Sequence, residues 1–61
     1  MEIIEIAEEM MPSEIYTSVT YDPESREVGF QYGYVLLSLP VEDLERMIEL
    51  LSQAAEEIES Q

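Results

Sequence analysis

The sequence predicts one small soluble α+β domain over residues 1–61: a short N-terminal helix, a three-stranded antiparallel meander, and a long C-terminal amphipathic helix packed on one sheet face. Three observations carry this. Residues 15–39 are rich in β-branched and aromatic side chains and alternate with a period of two. From Val41 onward, apolar residues recur at steps of three and four. A chain of 61 residues, with no internal repeat, linker or low-complexity segment, has room for a single domain.

The elements follow in order. Ile3, Ile4, Ala7, Met10 and Met11 fall at helical spacing, with Glu2, Glu5, Glu8 and Glu9 on the other side, so a helix is expected up to Pro12. The Ile-rich start also fits a short strand over residues 2–6. Residues 15–21 and 26–32 read as strands around the turn Asp22-Pro23-Glu24-Ser25, where Asp and Pro occupy positions that type I turns favour. A hairpin centred there sets Val19 opposite Val28 and Thr17 opposite Phe30, with the apolar residues in phase. At Gly33 the apolar parity switches, which implies either a bulge or a turn on Tyr32-Gly33. The turn sets Phe30 opposite Val35 and Val28 opposite Leu37, and it makes residues 26–32 the central strand. Pro40, Glu42 and Asp43 suit a first helical turn. Val41, Leu44, Ile48, Leu51, Ala55 and Ile58 then predict a helix over about residues 40–59.

Composition excludes much chemistry. There is no cysteine, histidine or lysine, so disulfides, thiolate or imidazole metal sites and Cys or Lys nucleophiles are out of reach. The serines lack a His or Lys base. The only glycines, Gly29 and Gly33, make no phosphate loop. Paired carboxylates are plentiful, but glycoside hydrolysis needs them inside a walled cleft. The chain reads as a non-enzyme with no cofactor and no metal. Ile, Leu, Val and Phe number 17 of 61, too many and too periodic for a disordered acidic tail. No apolar run is long enough to span a membrane, and Met1-Glu2 opens no basic leader, so a cytoplasmic location is expected.

Charge is the dominant feature. Fifteen acids face two arginines, for a net charge of −13. That disfavours direct contact with nucleic acid or anionic membrane and favours a basic protein partner. Several acids run against local stability. Glu56, Glu57 and Glu59 crowd a helix C-terminus, and Glu45/Glu49 form a like-charge i,i+4 pair. The bland account is a solvated coat that keeps the protein soluble. The functional account is a surface selected for its charge, and the complete absence of lysine supports it.

A second surface comes from the predicted register. The outer sheet face carries Tyr16, Ser18, Thr20, Glu27, Gly29, Gln31, Tyr34, Leu36 and Ser38, and a row Tyr16–Gln31–Tyr34 lies beside a row Ser18–Gly29–Leu36, with a shallow gap at Gly29. Tyrosines and a leucine on a polar face suit an interface centre, although isolated exposed apolar groups are also common. The candidate partner-binding residues are therefore Tyr16, Gln31, Tyr34, Leu36, Glu42, Glu45, Glu49, Glu56 and Glu57. The reading that uses both features is a DNA-mimic inhibitor of a basic, DNA-binding host protein, in the manner of phage anti-CRISPR, anti-restriction or DNA-glycosylase-inhibiting proteins. The alternative is a small homodimeric adaptor or assembly protein with an acidic solubilising surface. A homodimer is expected on either reading, because so short a chain builds a small core.

Overall fold

The structure, a computed structural model, describes residues 2–61. Four strands, β1 (Ile4–Met10), β2 (Tyr16–Asp22), β3 (Glu27–Tyr32) and β4 (Val35–Pro40), form one antiparallel sheet in sequence order. A 3-10 turn over Val41–Asp43 leads into helix α1 (Leu44–Glu59). The α+β class and the long C-terminal helix agree with expectation. The short N-terminal helix does not form, and the meander has four strands instead of three.

The reason lies in a bulge. In β1, Glu5 pairs with Thr20 and Ala7 with Val19, which leaves Ile6 as an extra residue. Ile4 and Ala7 then share a sheet face although they are three positions apart, a spacing that mimics a helix turn. A five-residue connection follows, in which the Met11 N–H donates to the Ile15 carbonyl and Glu14 takes φ 66°.

Both remaining hairpins sit two residues out of the expected register. Val19 faces Phe30 and Tyr21 faces Val28, because Asp22 pairs with Glu27 across a four-residue loop. The Asp22 carboxylate accepts the Glu24 N–H, and Arg26 closes the loop at φ 58° with its N–H on the Asp22 carbonyl. The next turn lies on Gly33-Tyr34, not Tyr32-Gly33. Gly33 has φ 62° at the first central position, where type II′ hairpins require glycine. Phe30 accordingly faces Leu37, and Val28 faces Leu39. A shift of two leaves every side chain on its expected face, since the strand period is two. Val19, Val28, Phe30, Leu37 and Leu39 thus share the inner face.

The core is thin. Val28 and Leu39 are the only buried apolar residues described, at 3% and 7% exposure. The expectation that α1 covers the inner face fails. Only Val41, Leu44 and Met47, at the helix root, are half-buried, and every residue from Ile48 onward is exposed. The chain spans 45 Å in its longest dimension. A sixteen-residue helix is about 24 Å long, so that length needs α1 to extend beyond the sheet. The 3-10 turn is itself helical and feeds α1 without a reversing loop, and the Val41 N–H is tied to the Arg26 carbonyl.

Candidate protein-binding site

The outer sheet face is built by residue parity. Tyr16, Ser18 and Thr20 on β2, Gly29 and Gln31 on β3, and Leu36 and Ser38 on β4 share it, joined from β1 by Glu5, Glu8 and Met10. The expected row Tyr16–Gln31–Tyr34 is not formed. The two-residue shift replaces it with Glu8–Ser18–Gln31–Leu36, and Ser18 at its centre is buried. Tyr34 sits at the tip of the β3–β4 hairpin, fully exposed and outside any strand row. The Gln31 amide turns toward that tip, donating to the Gly33 carbonyl at 3.0 Å. The expected gap at Gly29 is occupied too. A methyl group there would stand 2.7 Å from Thr20 Oγ1.

Tyr16 is the one candidate aromatic engaged by acids. Its hydroxyl donates to Glu8 Oε2 at 2.8 Å and lies 3.4 Å from Glu5 Oε2. The hydrogen bond to Glu8, partial desolvation and the two negative charges hold the phenol above its ordinary pKa of 10.0. The sequence reading put both acids on a helix and so missed this cluster. Beyond it, Ile15, Tyr16, Tyr32, Tyr34 and Val35 line a shallow apolar cleft around Gly33 at the end of the sheet.

The acids of α1 are all exposed. Glu45, Glu49, Ser52, Glu56 and Glu59 follow steps of four, three, four and three along one side of the helix. Glu42 continues the line through the 3-10 turn, and Glu57 lies on its flank. Beside the ridge stands one cation, Arg46, whose Nη1 donates to Glu49 Oε1 at 2.7 Å with both side chains largely exposed. No basic residue offsets the acids of the last helical turn.

Roughly a quarter-turn round the helix from this ridge runs the apolar stripe of Leu44, Ile48, Leu51, Ala55 and Ile58. Leu51 is 62% exposed and Ile58 70%. On the inner sheet face, Tyr32, Val35 and Leu37 are about half exposed or more. The sequence does show that these surfaces are apolar. It does not show that they fail to cover each other. Among the described residues, no group of three or more acidic side chains converges to hold a metal ion, and no helix is long and apolar enough to cross a membrane. Compared with family models, curated proteins and solved structures, the chain matches none.

Proposed function

We propose that this chain is a non-enzymatic protein-interaction module that works as a homo-oligomer, with its acids forming the outer coat of the assembly. One observation carries the reading. Two amphipathic surfaces, the inner sheet face and the α1 stripe, stand uncovered in the single chain, where Val28 and Leu39 are the only buried apolar side chains among the described residues. Burial on that scale does not offset the conformational entropy lost on ordering the chain, so the stabilising apolar contacts have to come from association. The acids fit such an arrangement. They occupy a side of α1 next to the stripe, the β1 edge and the loops at Glu14 and Asp22–Glu27, and they leave the apolar stripe uncharged. Sedimentation across the micromolar range is expected to show a dimer or larger species, with a melting temperature that climbs with protein concentration. A monomer throughout, melting at a concentration-independent temperature, would remove the reading.

The Glu42–Glu45–Glu49–Glu56–Glu59 ridge supports a second reading, the DNA-mimic inhibitor. Its carboxylates advance by about 4.5–6 Å per step where no uncharged residue intervenes, a linear acidic track on a rigid support that a basic groove could accept. This reading and the first are compatible, because association through the apolar stripe leaves the ridge outside. Its test is competition. The protein should displace DNA from a basic DNA-binding partner at low salt, and failure against a panel of such partners would leave the acids as a coat.

A further inference from the structure

The two edges of the sheet are unlike. The β1 edge carries Glu5, Glu8 and Glu9 and a bulge at Ile6, both devices that deter strand addition. The β4 edge, Val35-Leu36-Leu37-Ser38-Leu39-Pro40, has no charged residue and keeps unbroken register with β3. Among the described residues, no strand pairs with its other side. An uncharged, regular, apolar edge is a template for another strand. The apolar surfaces cluster beside it. Val35 and Leu37 belong to β4 itself, Tyr32 faces Val35, and α1 springs from the strand's end. The only acid on the inner face among the described residues, Glu9, lies on the opposite edge strand.

For a chain of net charge −13, a second copy is repelled everywhere except across such uncharged ground. The area suffices. Four large side chains on the inner face (Ile4, Tyr32, Val35, Leu37) and three on the α1 stripe (Ile48, Leu51, Ile58) are 47–70% exposed. At roughly 100 Å² each they give on the order of 700 Å² per copy, within the range of one side of a stable interface.

Resting on the homo-oligomeric reading, we infer that two copies pair antiparallel through their β4 strands into one eight-stranded sheet, with α1 of each copy covering the inner sheet face of the other. The symmetry makes this self-consistent. An antiparallel β4 pair related by a two-fold axis brings Pro40 of one copy, where α1 is rooted, beside Val35 of its partner, where the inner face is open. Helix α1, at about 24 Å, is long enough to cross a four-stranded sheet with strands about 4.8 Å apart.

The test uses the full chain, which has no native cysteine. Spin labels are placed singly at Ser38→Cys on β4 and Glu8→Cys on β1, both exposed positions. The β4 labels should lie within about 15 Å of each other across the dimer. The β1 labels should stand about 30 Å apart or more, because seven strand spacings separate the outer strands. A mixed-isotope sample should show contacts from Leu51 and Ile58 of one copy to Tyr32, Val35 and Leu37 of the other. Leu51→Glu, at a site its own chain leaves exposed, should weaken dimerisation tenfold or more while the circular dichroism is retained. A dimer whose β1 labels are the close pair, or whose helices contact only each other, overturns this arrangement and leaves the homo-oligomeric reading standing. A wild-type chain that is monomeric throughout overturns both.

Discussion

Tyr16 shows how the sheet register, once formed, creates chemistry at a single residue. Its phenol is open to solvent and held mainly by Glu8, so its titration reports its neighbours. Glu8→Gln removes the hydrogen-bonded carboxylate that favours the protonated phenol, and the Tyr16 pKa should fall toward its ordinary value. Phenolate absorbance across alkaline pH measures this, and an unchanged titration would show that the two groups do not meet in solution. Gly29 is the second informative residue. Alanine there sets a methyl group 2.7 Å from Thr20 Oγ1, so Thr20 must leave its rotamer and the protein should lose about 1 kcal/mol. Denaturant melts of Gly29→Ala, alone and with Thr20→Ala, check this. The double variant should recover most of the loss, which a general effect of side-chain size at position 29 would not allow.

At the scale of elements, α1 and β1 teach opposite lessons. Helix α1 was legible because an uninterrupted run of three- and four-residue steps matches nothing else. Strand β1 was not, because the bulge at Ile6 turns a period of two into a spacing of three. The two central hairpins fall between these cases. Their faces were legible from alternation, yet their registers were not, since loop geometry at Arg26 and Gly33 sets those. For the same reason the Tyr16–Gln31–Tyr34 row was an error, although Tyr16, Gln31 and Leu36 lie on the face assigned to them. Along α1, Glu45 and Glu49 are unequal although they form a like-charge pair. Glu45→Gln relieves repulsion but removes a carboxylate from the first turn of α1, where the helix dipole favours it by about 0.3–1 kcal/mol, so the change should be neutral to destabilising by up to about 0.5 kcal/mol at low salt. Glu49→Gln gives the same relief but loses the exposed contact with Arg46, so its net effect should be close to zero. Paired thermal melts of the two single variants distinguish them. A gain for Glu45→Gln would mean that its repulsion by Glu49 outweighs the dipole.

For the whole molecule, the charge and the apolar surfaces act in opposition. Fifteen acids repel one another within each chain and between copies, while the uncharged stripe and the β4 edge attract. Added salt screens the repulsion and leaves apolar burial almost untouched. Raising NaCl from low to moderate concentration should therefore raise the melting temperature and tighten self-association. Binding to a basic partner should weaken over the same range, mainly through a slower on-rate. Calorimetric melts and dilution experiments at matched salt test the first pair of effects, and stopped-flow binding tests the last. A melting temperature that falls with salt would point to attractive ion pairs that Arg26 and Arg46 alone can hardly supply.

By itself the sequence determined the α+β class, the faces of β2, β3 and β4, the long amphipathic helix and the −13 charge. These depend on residue type and on periods of two and 3.6, which are local quantities. Only the tertiary structure decided that residues 4–10 form an edge strand, that both central hairpins sit two residues along from the simplest register, and that α1 leaves its own sheet uncovered. Those outcomes turn on one bulge, two residues of positive φ in hairpin loops and a helical turn that does not reverse the chain. Each is a change at one or a few residues that alters where a whole element lies. Periodicity shows which surfaces must be buried, and the path of the backbone decides whether the same chain can bury them.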